Sequence, residues 1–318
     1  MFSPAPFCSR VHMEAREPLL GSAISAKQWL FVSLPRNKWA ANQFSSAGLD
    51  SDLSSCLKEL QRKRKVAVRL FHPSGLSDSH LTELLLMPEG IVYPECQTAE
   101  AIALLRRFYL CDGFSEAPSL EAGPSVFVCT HGKRDRCCAK YGRAVLTAFR
   151  EVSDSISPGF AVRECTHLGG DRFAANVICF PSGHMYGHAD PSNAPRILEA
   201  EREGRPYPPC YRGCTFLEGP AQLGEAAAQQ ECSERGFAAT VSVDETEFEN
   251  AEEAVVRLSI HSIGGPIAGV SVRCKRSIFE VYIDCAALSR GERRFVGRWT
   301  VGSLSWNSLS WHKRSIEE

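Results

Sequence analysis

The chain has 318 residues, 44% of them hydrophobic and 23% charged, with 24 Gly and 18 Pro, a composition that excludes a disordered, collagenous or coiled-coil protein. At ~100–150 residues per domain this length predicts two or three domains, and 36 Lys and Arg against 37 Asp and Glu leave a net charge of -1, with no field to draw in nucleic acid or an anionic membrane. The longest apolar runs, Trp29 to Val32 and Val177 to Phe180, fall far short of the ~20 residues of a membrane span, and no basic segment followed by an apolar one opens the chain, so a cytoplasmic setting is expected.

Leu30 to Ser33 reads as a strand, and Asp50 to Arg64, with Leu53, Leu57 and Leu60 at helical spacing, as a helix. Ala67 to Leu70 is a second strand, Leu85 to Tyr93 a pair of strands about a Pro-x-Gly turn, and Thr98 to Phe108 a helix. The same order then recurs. Strand Val126 to Cys129 is followed by helix Tyr141 to Val152, strand Ala161 to Glu164, the hairpin Ile178 to Tyr186 about Pro181-Ser182-Gly183, and helix Pro195 to Glu203. Matching segments are offset by 96, 94 and 93 residues, a slow shrinkage that short loop deletions would produce, so the order predicts a duplicated unit. Each unit reads β-α-β-β-β-α, the element order of a thioredoxin-like fold, in which a right-handed crossover joins parallel strands and a hairpin adds an antiparallel edge.

From about Cys232 the pattern changes. Ala238 to Val243, Ala254 to Ile260, Val270 to Arg273, Ile278 to Ile283 and Phe295 to Val301 are short β-branched runs with no helix between them, which predicts a small antiparallel sheet. Trp299, Trp306 and Trp311 read as packing residues of its last strand and tail. The expected class is therefore α/β: two tandem thioredoxin-like units, the first degenerate, then a small antiparallel β region, with domains at 1–120, 121–231 and 232–318.

Fourteen cysteines are many for a chain expected in a reducing compartment, which suggests metal for some of them. Isolated ones such as Cys8, Cys56, Cys96 and Cys285 read as small buried hydrophobes. Two segments stand out, CTHGKRDRCC from Cys129 to Cys138 and CTHLGGDRF from Cys165 to Phe173. Each begins at the end of a predicted strand, so both are loops at the carboxyl edge of the sheet, where their side chains can converge. The first spaces Cys129 and Cys138 as C-x8-C around Lys133, Arg134 and Arg136, cations that favour anionic sulfur. Thiolates with imidazole can hold an iron–sulfur cluster, and Gly169 and Gly170 would let the second loop adopt positive φ and approach it closely. In the first unit Ser33 stands where Cys129 would be, so that half reads as structural and a single cofactor is expected.

The stretch from Val126 to Gly187, with CTHGKRDRCCAKYGR and CTHLGGDRFAANV, resembles the sucrase/ferredoxin-like proteins, relatives of thioredoxin-like [2Fe-2S] ferredoxins; the resemblance runs over roughly the first 220 residues, including Cys8 and Glu17-Pro18-Leu19. It implies a soluble electron carrier with one [2Fe-2S] cluster, Cys129 and Cys138 on one iron and His167 on the other. The best understood family members carry a second His in an H-x3-H pair; here that position is Asp171, with Cys165 or a residue from elsewhere as the alternative fourth ligand. An anionic Asp171 would lower the potential relative to two histidines.

Plainer readings stand beside these. Cys137 and Cys138 are neighbours that would point apart on an extended chain, one a ligand and one packed, and a register slip would exchange them. His131 reads as a loop histidine bonded to a carbonyl. His184 and His188, a second H-x3-H, read as one solvated face of a hairpin strand, and Cys210 and Cys214, a C-x3-C, lie too far along the unit to join the loops. Lys133, Arg134, Arg136, Lys140 and Arg143 are either a solvated face or a docking patch for an acidic redox partner protein. The competing functions are a thiol–disulfide oxidoreductase using Cys137, Cys138 or Cys129, though no C-x-x-C opens a helix, and a zinc-binding interaction module.

Overall fold

The computed structural model describes residues 6–15, 17–73, 81–110, 120–155, 159–262 and 265–307. A short helix, α1 (Cys8–Met13), precedes β1 (Trp29–Ser33), which is buried at every position. α2 (Ser51–Arg64) starts where the Asp50 carboxylate accepts the N–H groups of Asp52 and Leu53 at 2.8 and 3.1 Å. It ends at Lys65 in the left-handed conformation. β2 (Ala67–Phe71), β3 (Thr82–Met87), β4 (Ile91–Cys96), α3 (Thr98–Leu110) and a short β5 (Leu120–Glu121) complete the first unit. The second repeats it with β6 (Ser125–Cys129), α4 (Arg136–Ser155), β7 (Ala161–Cys165), β8 (Val177–Phe180), β9 (His184–Tyr186) and α5 (Ala194–Arg202). β10 (Tyr211–Cys214) and α6 (Gly219–Glu234) follow.

These strands form one ten-stranded sheet in the order β10-β9-β8-β6-β7-β2-β1-β3-β4-β5. In each unit the first strand is parallel to the second and antiparallel to the third, the thioredoxin-like arrangement. The units are mirrored about the sheet centre, where β2 meets β7 antiparallel at Phe71 and Cys165, the last residue of each strand. The carboxyl ends of both parallel pairs therefore converge on the middle of the sheet.

Alternation along the strands divides the core. Leu30 and Val32 face α2 and α3, and Val126 and Val128 face α4 and α5, so the helices of both units line one side. Trp29, Phe31, Phe127 and Cys129 face the other. Two strands separate β1 from β6, yet Phe31 and Phe127 stack with ring centroids 3.6 Å apart, so the sheet curls around this aromatic interior. Cys8, Ile24 and Ala26 of the N-terminal segment close it.

The second sheet contains β11 (Thr240–Phe248), β12 (Glu253–Ser262), β13 (Gly265–Val281) and β14 (Arg294–Asn307), antiparallel and in sequence order. It departs from expectation in two ways. The runs Val270 to Arg273 and Ile278 to Ile283 belong to, or adjoin, a single 17-residue strand, and a helix, α7 (Cys285–Arg290), interrupts the β region. α6 was not expected at all. It lies between the sheets, Ala226 against the second unit and Leu223, Ala227, Ala228 and Cys232 against β12 and β13. Burial on several sides leaves it no apolar stripe for a periodicity reading to find. Trp299 and Trp306 pack on this core as expected, while Trp311 lies outside the described residues. No helix among the described residues is long and apolar enough to cross a membrane.

Candidate metal centre

β6 delivers Cys129 and β7 delivers Cys165 side by side, as partners in parallel register. The loop after β6 is pinned where the Thr130 hydroxyl donates to buried Glu164 at 2.7 Å. It leans on the first unit, His131 Nε2 bonding the Ala40 carbonyl at 2.9 Å and Lys133 donating to the Asn37 carbonyl at 3.1 Å. The helix that follows begins at Arg136, five residues before the predicted Tyr141. Asp135 precedes it and accepts the Cys137 N–H at 2.7 Å, a cap that the apolar periodicity of Val145, Leu146 and Phe149 could not reveal. The vicinal cysteines are thus on a helical first turn rather than an extended chain. Successive side chains there diverge by about 100°, which turns Cys138 toward Cys129 and Cys137 away from it.

Gly142 sits one turn further along, where a Cβ would stand 2.0 Å from the Cys129 carbonyl oxygen. Only a bare Cα lets α4 approach the end of β6 closely enough to bring Cys138 to Cys129. Gly142→Ala should therefore destabilise the fold by about 3 kcal/mol, the upper range for forced overpacking, measurable as a lower urea midpoint.

In the second loop Thr166 is held to β2, its N–H bonding the Leu70 carbonyl at 2.8 Å and its hydroxyl accepting the Leu70 N–H at 2.9 Å. Gly169 and Gly170 adopt positive φ of 93° and 77°, as expected, and bend the chain into a 3-10 turn at Asp171–Phe173. One sulfur from each of Cys129 and Cys138 and a ring nitrogen of His167 lie within 4.8 Å of one another. Asp171 adjoins this trio rather than joining it. Its Oδ1 accepts from the Cys138 thiol at 3.4 Å and stands 2.8 Å from His167 Nδ1, and Arg134 Nε is 3.5 Å from its Oδ2.

Both sulfurs are buried, and so is Nδ1 of His167, which is ion-paired with the Asp171 carboxylate. Two buried thiols beside an imidazole are a donor set suited to a thiophilic metal. Hydrogen bonding from Cys138, and then from His167, holds the Cys129 thiol well below its usual range despite burial. The Cys138 thiol is correspondingly pushed up. Burial opposes protonation of His167, but the Asp171 carboxylate and Cys129 thiolate outweigh it and raise the imidazole to about 9.

The remaining candidates are dispersed. Cys165 is buried beside Cys129 but is not one of the three donors. His184 and His188 do not form a solvated pair: His184 Nδ1 bonds Glu201 at 2.9 Å in the interior, and His188 Nε2 bonds His12 Nδ1 at 3.1 Å. β9 ends at Tyr186, before His188, whose positive φ of 50° turns its ring to a different partner. Cys214 donates to the Ser182 carbonyl at 3.6 Å and Cys210 is buried, neither in a donor group among the described residues. Of the basic residues, Arg136 donates to the Pro6 carbonyl at 2.7 Å and Lys140 lies 4.4 Å from the Phe7 ring centre, whereas Lys133, Arg134 and Arg143 remain exposed.

Cys56 and Cys96 are small buried residues against α2 and α3, as expected. Cys8 and Cys285 are not isolated. They meet Cys137 and Asp135 in a second cluster of buried donors. Cys8 lies 129 residues, and Cys285 148 residues, from Cys137, so no local spacing announced the group.

A model of the sucrase/ferredoxin-like family matches residues 19–213. Over 94 residues the chain is 30% identical to the "Altered inheritance of mitochondria protein 32" of Meyerozyma guilliermondii, a match covering 28% of this chain and 33% of that protein. The chain thus spans about a third of the length of that curated relative. Among solved structures, the wild-type thioredoxin-like [2Fe-2S] ferredoxin from Aquifex aeolicus aligns at 22% identity over 28% of this chain and 95% of its own, with a TM-score of 0.25. A cysteine-to-serine variant of that ferredoxin aligns at 21% identity over 28% of this chain and 96% of its own, also with a TM-score of 0.25.

Proposed function

The chain belongs to the sucrase/ferredoxin-like family, and from that premise we propose that it is an electron carrier with one [2Fe-2S] cluster, held by Cys129 and Cys138 on one iron and by His167 and Asp171 on the other. The observation that carries this reading is the meeting of two buried thiols with a ring nitrogen of His167 at the joined ends of β6 and β7. The cluster would supply one-electron transfer. The chain supplies its setting. The His131 backbone amide helps to lower the Cys129 thiol, and Arg134 beside Asp171 offsets the negative charge of a thiolate–carboxylate site.

Of these four side chains His167 alone reaches solvent, 27% exposed against 3% for Asp171, with both cysteines buried. Electrons would enter and leave at that edge, beside exposed Lys133 and Arg134, charges that suit an acidic redox partner met in brief encounters. Purified anaerobically, the full chain should be red-brown and contain iron and acid-labile sulfide in equal amount. A colourless chain with zinc alone at Cys129 and Cys138 would make it a non-redox module, and a metal-free chain with a titratable disulfide there an oxidoreductase.

Asp171→His tests the fourth ligand. Exchanging an anionic donor for a neutral one stabilises the reduced cluster, so the midpoint potential should rise by on the order of 100 mV, within the span that separates histidine-ligated centres from all-cysteine ones. A potentiometric titration followed by electron paramagnetic resonance reads the shift. An unchanged potential would remove Asp171 from the ligand set.

A further inference from the structure

Three cysteines from distant parts of the chain meet on the other flank of the first turn of α4. Cys137 Sγ lies 3.2 Å from Cys285 Sγ and 3.5 Å from Cys8 Sγ, and Cys8 and Cys285 are 3.6 Å apart. All three are buried, and an Asp135 carboxylate oxygen completes a group whose four donor atoms lie within 4.8 Å of one another. We propose that Cys8, Asp135, Cys137 and Cys285 form a zinc site, separate from the centre at Cys129 and Cys138, that clamps the N-terminal segment and the β-rich C-terminal region onto α4.

The spacing fits a single tetrahedral ion. With Zn–S near 2.3 Å the edge of the tetrahedron is ~3.8 Å, so the three sulfurs already outline one face. They stand well beyond the ~2.05 Å of a disulfide, and each is about equally close to the other two, which pairing would not produce. Asp135 is fixed for its part: Oδ1 accepts the Cys137 N–H and Oδ2 the Cys285 N–H, each at 2.7 Å, leaving the carboxylate beside the sulfurs. Three soft anionic donors and a carboxylate, all four side chains buried, are the ligands of a closed structural zinc site rather than a catalytic one with an open position.

The clamp explains why the β region docks where it does. α7 carries Cys285 out of the second sheet to the start of α4, and α1 carries Cys8 there from the opposite end of the chain. Because Cys137 and Cys138 are adjacent, zinc on the first would also fix the helical turn that presents the second.

The full chain, exposed to zinc chloride and then passed over a chelating resin, should retain one equivalent of zinc whatever its iron content. Cys8→Ser and Cys285→Ser should each lose it while keeping iron and sulfide; the double variant Cys129→Ser, Cys138→Ser should keep zinc while losing iron. If either single variant fails to fold, cobalt(II) added to that double variant carries the test, since a tetrahedral thiolate site gives intense visible bands and sulfur-to-metal charge transfer. Absence of retained zinc in the wild-type chain, retention by folded Cys8→Ser and Cys285→Ser, iron in place of zinc, a Cys137–Cys285 disulfide in anaerobically handled protein, or cobalt without thiolate bands would each overturn the assignment.

Discussion

Cys138→Ser should leave the folded chain without iron or acid-labile sulfide, whereas Cys137→Ser should retain both. The two residues differ by one position but not in what they face. On the first turn of α4 the Cys138 sulfur joins Cys129 and His167 within 4.8 Å, while the Cys137 sulfur lies 3.2 Å from Cys285. A serine hydroxyl is a hard donor that remains protonated at neutral pH, so it replaces a thiolate poorly on cluster iron. With Cys138 gone, one iron keeps only Cys129, and the loss of cofactor should be complete. Iron and sulfide assays on anaerobically purified variants, with circular dichroism to establish that both are folded, would decide it. Loss in Cys137→Ser and retention in Cys138→Ser would move the cluster to the other sulfur.

That distinction separates what could be read in the residues from what could not. The duplicated unit was legible because buried central strands are apolar runs, Leu53, Leu57 and Leu60 keep helical spacing and the Pro-x-Gly turns recur in order. Gly169 and Gly170 likewise disclosed a loop that turns through positive φ. The direction of each vicinal cysteine depended on where α4 begins, which is set by Asp135 bonding the Cys137 N–H and by the missing Cβ at Gly142. An asparagine or aspartate before a helix is a recognisable cap, but here a basic, cysteine-rich first turn hid it. Cys8 and Cys285 were illegible for a different reason: their partner lies more than a hundred residues away, and only the mutual packing of three chain segments reveals it. α6, buried between two sheets, had no periodic stripe to betray it.

The same convergence of segments makes Glu17 a carboxylate on which the fold depends. Its side chain is fully buried and takes Arg172 on both oxygens, Nε at 2.6 Å and Nη2 at 2.5 Å. Arg298 of β14 donates to it at 2.7 Å, and His12 of α1 bonds it at 3.0 Å. Arg172 follows Asp171 directly, so this one carboxylate ties the loop of the candidate centre to α1 and to the second sheet. Glu17→Gln would leave two guanidinium groups facing a neutral amide, one of them buried, and should cost about 4 kcal/mol, as breaking a buried ion pair does.

Acid should expose the same dependence. Burial favours the neutral acid, but Arg172, His12 and Arg298 outweigh it and hold Glu17 well below the usual carboxylate range. A carboxylate depressed in the folded state contributes its full stability above its unfolded pKa, about 4.3, and loses it as pH falls through the folded value, because the unfolded chain takes up the proton first. Wild-type urea midpoints should therefore drop more steeply below about pH 4 than those of Glu17→Gln, and the gap between the two should narrow as the pH falls. Parallel curves down to pH 3 would mean that these three segments are joined by something other than the charge on Glu17.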